Sequence, residues 1–162
     1  MTLLYRRCAS AIVFNKKGLI LLGNRIDTPE DAWQFSQGGI EAGESPEQAA
    51  KRELFEEMSI TSVKLISADK EANRYEFPES VKQKFKKKGL TTCGQDIYFC
   101  LFYFTGDEGE INTKTAYPEF KSYMWSDFDF AVKNIVDFKK DVYLKAANRF
   151  KSVVKQYISH LS

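Results

Sequence analysis

Residues 38–60 read GGIEAGESPEQAAKRELFEEMSI, and this stretch decides the fold class that the sequence predicts. Ser45 suits a helix N-cap, Pro46 suits the first helical position, and Gln48 completes a capping box. The pattern therefore predicts a helix from about Pro46 to Met58. Three apolar side chains at every fourth position form its buried stripe: Ala50, Leu54 and Met58.

The same helix carries three glutamates at positions i, i+3 and i+4: Glu53, Glu56 and Glu57. All three project from one face, where like charges repel and weaken a helix. One interpretation is a plain acidic stripe facing solvent, since charge runs usually are solvated faces. The other is a site for Mg²⁺ or Mn²⁺, because these ions prefer oxygen ligands and share substrate phosphates. Arg52 suits a partner that orients one of these carboxylates, and a backbone carbonyl at Gly38 or Gly39 suits an additional ligand.

The spacing of these positions resembles the Nudix box. The matching positions are Gly38, Glu44, Arg52, Glu53, Leu54, Glu56, Glu57 and Ile60. The family's usual last glycine is Ser59 here, a small residue where the helix should end. Because so many specified positions occur at fixed spacing, the resemblance favours the metal site over the solvated stripe.

The resemblance implies an α/β fold, an α/β/α sandwich with a mixed β-sheet between helices and the box as a loop–helix–loop. It implies one such domain over residues 1–162, and hydrolysis of a phosphoanhydride bond with Mg²⁺ or Mn²⁺. The implied metal ligands are Glu53, Glu56, Glu57, the Gly38 carbonyl and Glu119. The implied catalytic residues are Glu56, Glu53 and Arg52, and either Glu56 or Glu53 orients or deprotonates the attacking water.

Matches outside the box resemble one subgroup, the bacterial RNA pyrophosphohydrolases and the asymmetric diadenosine tetraphosphate hydrolases. They extend over roughly residues 5–150 and fall at 5–6, 25–27, 33–40, 94–95, 118–120, 125 and 138–143. The subgroup's usual proline is Ser36 here, a change expected to loosen the turn before the box while removing no ligand.

Carried over by position, the substrate-binding residues would be Arg6, Arg25, Gln37, Gly39, Tyr75, Phe138 and Lys139. Phe138 and Arg25 would sandwich a base, and Arg6 and Lys139 would contact phosphates. Tyr75 would lie near a dinucleotide substrate. Without the resemblance, Phe138 suits a core aromatic side chain and Tyr75 a half-buried one. The arginines and Lys139 then suit solvated surface cations.

The remaining pattern predicts strands around the box helix. Residues 8–14 and 19–22 predict a hairpin, and the apolar run 97–104 predicts a central strand. From Phe138 onward a C-terminal helix is predicted, with one buried face formed by Val142, Ala146, Phe150, Val153 and Tyr157. Residues 74–90 have a less regular pattern and contain a lysine cluster, Lys82, Lys84, Lys86, Lys87 and Lys88. That cluster suits either an RNA backbone or a solvated, mobile loop.

Composition excludes several classes of protein. The 162 residues are 43% hydrophobic and 28% charged, with a net charge of +2, so no global basic field points to nucleic acid. A single histidine excludes metal sites built from several histidines. Three cysteines suit free thiols, no apolar run suits a membrane span, and residues 1–7 are too polar for a signal peptide. We expect a cytoplasmic protein.

Three functional hypotheses remain. The leading one is an enzyme that removes pyrophosphate from RNA 5′ ends, splits dinucleoside polyphosphates, or does both. The second is hydrolysis of another nucleotide, and the third is a non-catalytic nucleotide-binding regulator. The expected partner is a nucleotide or an RNA 5′ end, with no DNA and no membrane, and the sequence leaves the oligomeric state open.

Overall fold

A computed structural model describes residues 4–161, in which four strands precede the first helix and further strands and helices follow it. Residues 1–3 and 162 lie outside this range. The prediction of no signal peptide rests on residues 1–7, so part of that segment is outside the described residues. The strands are β1 Tyr5–Phe14, β2 Ile20–Arg25, β3 Trp33–Gln34, β4 Ser36–Gly39, β5 Val63–Ala68, β6 Asn73–Glu76, β7 Gly94–Phe104 and β8 Phe120–Ser126. The helices are α1 Pro46–Met58, α2 Glu79–Lys87, α3 Phe128–Asn134 and α4 Lys140–Ser159, and short 3₁₀ turns span Glu108–Glu110 and Asp137–Lys139.

The strands form one mixed sheet around the parallel pair of β1 and β7. β2 and β4 pair antiparallel with β1, while β5 and β6 pair antiparallel with β7. β3 and β8 pair with β2 at the far side of the sheet. The predicted central strand is therefore confirmed as β7, and it begins earlier than its apolar run, at Gly94.

Helices cover both faces of this sheet because side chains alternate along each strand. From β1, Ile12 and Phe14 enter the core that contains residues of α3 and α4, such as Tyr143. Ala11 and Val13 enter the opposite core, which contains Leu54 of α1 and its neighbours. The predicted α/β sandwich is confirmed.

The box helix has the predicted bounds and the predicted cap. The Ser45 side chain accepts a hydrogen bond from the Gln48 backbone, and the Gln48 side chain accepts one from the Ser45 backbone N–H. The predicted stripe of Ala50, Leu54 and Met58 is buried. At the other end Ser59 has a φ of 62°, the left-handed conformation that glycine adopts at lower cost. The Ser59 hydroxyl donates to the Asn112 carbonyl at 3.0 Å, a contact that a glycine would lack.

Residues 74–90, expected to be less regular, contain most of β6 and all of α2, and the alternative of a loop over the lysine cluster is wrong. β6 pairs with β7 from Asn73 to Glu76, and α2 begins after Pro78. The Phe85 ring holds α2 on the sheet by stacking on Phe77, with ring centroids 5.1 Å apart and planes 3° apart. The helix escaped prediction because no side chain caps it and its apolar face consists of few residues.

The buried face of α4 is largely as predicted. Val142, Ala146 and Phe150 are buried, and the face continues through Val154. Val153, expected on this face, is half-buried at its flank, as is Tyr157. Among residues 4–161, no helix is long and apolar enough to cross a membrane.

Replacing Ser45 with alanine should lower the free energy of unfolding by about 1 kcal/mol, because the Gln48 backbone N–H loses its acceptor. Chemical denaturation followed by circular dichroism measures this change. Ser152→Ala, at an exposed position within α4, is the matched control and should leave stability unchanged or slightly higher. Equal effects of the two substitutions would contradict the importance of the cap.

Candidate active site

Close packing of α1 against β4 sets the floor of the site. Gly38 lies opposite Ala9 of β1, and a Cβ built at Gly38 would lie 2.0 Å from the carboxyl carbon of Glu53. Any side chain at Gly38 would therefore displace the Glu53 carboxylate. The glycine that precedes the box helix therefore leaves the space that the Glu53 carboxylate occupies.

The Arg52 guanidinium connects the box loop to the box helix. Its Nε and Nη2 donate to the two Glu44 carboxylate oxygens at 2.8 and 3.0 Å, and Nη2 also donates to the Gly39 carbonyl at 2.8 Å. Its Nη1 donates to Glu53 at 2.8 Å and to Glu56 at 3.3 Å. The paired hydrogen bonds from Arg52 hold the pKa of Glu44 at about 2. Arg52 thus has the orienting contacts predicted for it.

Glu57 is a buried carboxylate, with 4% of its surface exposed. The Ser36 hydroxyl and the Gln37 backbone N–H both donate to its Oε1, at 2.6 and 3.1 Å. Burial raises the pKa of Glu57 to about 8, the Ser36 hydrogen bond opposes this rise, and the charges of Glu53 and Glu119 add to it. A carboxylate in this setting is poorly stabilised as an anion, which makes it a strong ligand for a cation.

The other predicted ligands differ from Glu57 in exposure. The Glu53 side chain is 17% exposed, and burial raises its pKa while Arg52 lowers it. The Glu56 side chain is 53% exposed and contacts Arg52. Glu119 is exposed, yet close enough to add to the raised pKa of Glu57. Within residues 4–161, no group of three or more acidic, histidine or cysteine side chains is already arranged around one ion position.

A cavity of about 720 Å³ opens beside these carboxylates. Four of the predicted metal ligands line it: Gly38, Glu53, Glu57 and Glu119. Each predicted substrate-binding residue also lines it: Arg6, Arg25, Gln37, Gly39, Tyr75, Phe138 and Lys139. Glu56 and Arg52 are not among the lining residues in the described part of the chain. The structure therefore brings the two predicted sets together and leaves Glu56 outside.

An aromatic group forms one side of the cavity. Phe138, in the 3₁₀ turn before α4, lies 5.9 Å from both the Tyr75 and the Phe77 ring centroids. The Tyr75 hydroxyl donates to the side-chain oxygen of Gln95, and burial raises the pKa of Tyr75 well above its usual range. Arg25 lines the same cavity and pairs with Asp27 through two hydrogen bonds.

Lys139 is a buried cation, 6% exposed. Its Nζ lies 3.4 Å from the side-chain oxygen of Gln37 and 5.9 Å from the centre of the Tyr75 ring. Burial lowers the pKa of Lys139 to about 8, the charge of Arg25 adds to this, and Cys8 and Glu57 oppose it. Because buried charges are normally paired, this lysine suits an anionic ligand in the cavity.

Comparisons with known proteins agree with this geometry. Residues 4–146 match the model of the NUDIX domain. The chain is 37% identical over 158 residues to the RNA pyrophosphohydrolase of Wolbachia pipientis subsp. Culex pipiens, covering 93% of this chain and 92% of that one. It is 39% identical over 139 residues to the RNA pyrophosphohydrolase of Rhodospirillum rubrum, covering 86% and 82%. The solved structure of the E. coli dihydroneopterin triphosphate pyrophosphohydrolase shares the fold, with a TM-score of 0.67, 18% identity and coverage of 98% and 99%.

The sandwich fold, the box and these relatives define a hydrolase of phosphoanhydride bonds. The chain belongs to the Nudix family, whose hydrolases generally use divalent metal ions. The family and the fold predicted from the box are therefore confirmed.

Several residues of the site escaped sequence reasoning. Ser36 was expected to affect a turn, and it instead donates to the buried Glu57 carboxylate. Gln95 was noted as a subgroup match without a role, and it bonds Tyr75 and lines the cavity. Phe77 supports Phe138 and had no distinguishing pattern. The sequence does contain a signal for the role of Ser36. A hydroxyl in place of the usual proline adds a hydrogen-bond donor close to the acidic helix.

The raised pKa of Glu57 predicts a pH-dependent stability of the metal-free protein. The carboxyl stays protonated in the folded state up to about pH 8, whereas it ionises near its ordinary pKa of about 4.3 in the unfolded chain. Its contribution is therefore fully present below the unfolded pKa and is lost as pH rises towards 8. In EDTA, wild type should lose on the order of 3 kcal/mol relative to Glu57→Gln between pH 5 and pH 8.

Urea denaturation at both pH values measures this difference. Glu47→Gln, on the first turn of the same helix, is the control and should behave like wild type. Parallel pH profiles for wild type and Glu57→Gln would show that Glu57 is ionised in the folded, metal-free protein.

Proposed function

We propose that the protein is an RNA pyrophosphohydrolase that cuts pyrophosphate from the triphosphorylated 5′ end of RNA in the cytoplasm. The observation that carries the proposal is the cavity, which is lined both by cations such as Lys139 and by the carboxylates Glu53 and Glu57. Support for RNA as the substrate comes from the relatives named RNA pyrophosphohydrolase, which match most of the chain.

The residues beside the cavity fit a divalent cation. The acidic set offers oxygen atoms alone, the donors that Mg²⁺ and Mn²⁺ prefer. Burial raises the pKa values of Glu57 and Glu53 despite the hydrogen bonds that each accepts, so their negative charge is only partly compensated. We assign the ion, Mg²⁺ or Mn²⁺, to Glu53, Glu57, Glu119 and the Gly38 carbonyl, which line the cavity. Glu56 would join these ligands only if its exposed side chain turned from Arg52 towards the cavity. When bound, it supplies charge neutralisation at the phosphate oxygens and an activated water.

Proton transfer is assigned to Glu53 rather than Glu56. Glu53 lines the cavity, while Glu56 lies on the exposed side of α1 and contacts Arg52. The raised pKa of Glu53 makes it a better proton acceptor at neutral pH than an ordinary carboxylate. Arg52 holds Glu53 by a hydrogen bond of 2.8 Å and thereby fixes the direction of its carboxylate.

We assign substrate binding to the cations that line the same cavity. Lys139 and Arg6 would neutralise the phosphates that lie between the 5′ nucleoside and the metal. The Phe138 ring and the Arg25 guanidinium line the same cavity and would hold the base by stacking. Asp27 already orients the Arg25 side chain, so less side-chain entropy is lost when the substrate binds.

A dinucleoside polyphosphate is the second candidate substrate. The buried Tyr75 and Gln95 lie in the same cavity, which has the volume of a small-molecule site. The same carboxylates and metal would cut either molecule. The two candidates differ in the part of the substrate that lies beyond the first nucleoside.

A side-by-side assay tests the proposal. Wild-type protein is given 5′-triphosphorylated RNA or diadenosine tetraphosphate, with Mg²⁺ or Mn²⁺, and kcat/KM is compared. A higher value for RNA is expected. Preference for the dinucleotide would assign the protein to the second candidate, and binding of nucleotide without hydrolysis would favour a non-catalytic regulator.

Glu57→Gln should lower kcat by roughly two orders of magnitude or more, because the buried oxygen ligand loses its charge. Glu47→Gln is the control, since Glu47 lies on the same helix and pairs with Lys51 away from the cavity. Circular dichroism checks that both variants fold. A Glu57→Gln enzyme with nearly wild-type kcat would exclude Glu57 from the metal site.

A further inference from the structure

Helix α2 forms one wall of the cavity. Val81, Lys84 and Phe85 of this helix line the cavity, as does Lys88 directly after it. Their spacing of three and four residues places them on one side of the helix. Lys86 and Lys87 belong to the same basic segment and are not among the lining residues of the described chain. The lysine cluster is thus divided into a cavity side and an outer side.

Aromatic packing fixes this wall next to the proposed base site. Phe85 stacks on Phe77 at 5.1 Å, and Phe77 meets Phe138 edge to face at 5.9 Å. Two ring contacts therefore separate α2 from the aromatic side chain proposed to hold the 5′ base. The proposed base site therefore lies next to α2.

The lysines on the cavity side lack acidic partners. Lys82 pairs with Glu76 at 3.6 Å, whereas in the described range no carboxylate lies within salt-bridge distance of Lys84 or Lys88. One acid of the cavity, Asp27, has a pKa that is lowered mainly by its hydrogen bonds from Arg25 and also by the charge of Lys84. Because Asp27 is already bonded to Arg25, Lys84 and Lys88 remain available to an external anion.

We propose that the cavity side of α2 binds the RNA backbone just beyond the 5′ nucleotide, with Lys84 and Lys88 contacting its phosphodiesters. This inference rests on the proposed function and names the part of the substrate that lies outside the catalytic centre. Lysine contacts to phosphates carry no sequence information, which suits an enzyme that acts on many RNA ends. A dinucleoside polyphosphate has no phosphodiester to place there, so α2 would favour RNA over the dinucleotide.

The test compares Lys84→Gln/Lys88→Gln with Lys86→Gln/Lys87→Gln, which removes the same charge from the outer side of the helix. For a 5′-triphosphorylated RNA of about ten nucleotides, loss of the cavity-side lysines should lower the ratio of RNA to dinucleotide kcat/KM roughly ten-fold. The slope of log affinity against log salt should fall by about 0.7 per lysine removed. The outer-side variant should keep the wild-type ratio to within about two-fold.

Two outcomes would overturn the inference. One is an unchanged ratio in the cavity-side variant, and the other is an equal loss for both substrates, which would indicate general attraction of phosphates. Fluorescence anisotropy of the same RNA with a 5′-hydroxyl end separates this failure from failure of the proposed function. If wild type cleaves no RNA, the proposed function is wrong. The α2 inference is overturned separately if the cavity-side variant binds this RNA with the affinity and the salt slope of wild type.

Discussion

The Arg52 guanidinium holds the acidic site together. Its hydrogen bonds reach Gly39 at the end of β4, Glu44 in the loop before α1, and Glu53 on the helix itself. Without a central cation, carboxylates gathered at this spacing would repel and weaken the helix end that carries them. Arg52 removes part of that repulsion and also closes the loop against the helix. The loop–helix–loop is therefore a unit whose shape and charge are set by one side chain.

The sheet brings the second half of the site to this unit. β1 pairs with β4 on one side and with β7 on the other, so Cys8 lies between Gly39 and Ile97. Arg6, two residues earlier, pairs in register with Gln95. The long strand β1 thus positions Arg6, the proposed phosphate contact, between the box glycines and β7. The fold and the site are coupled because the central parallel pair, β1 and β7, organises the sheet and also positions residues of the site.

Local signals in the sequence predicted α1, its cap and its buried stripe, because capping and periodicity act within one helix. The different burial of Glu56 and Glu57 was not predictable in this way. Both belong to the acidic face, and tertiary contact with Ser36 on β4 buries one while the other faces solvent. α2 was missed for a related reason, since stacking of Phe85 on Phe77 stabilises it from outside its own sequence. The box residues were predicted by resemblance to the family, and their roles stay predictions until tested.

Two walls of different origin make up the cavity, and this separation has a consequence for specificity. The metal wall comes from β4 and α1, whose positions are constrained by Gly38 and by the Arg52 contacts. The recognition wall comes from β6, α2 and the turn with Phe138, joined by ring contacts. If α2 binds the RNA backbone as proposed, substitutions in the recognition wall should alter the binding of the chain beyond the first nucleoside while leaving the carboxylates in place. In that proposal one chemical centre would serve RNA ends or dinucleotides, and α2 and its neighbours would determine the choice.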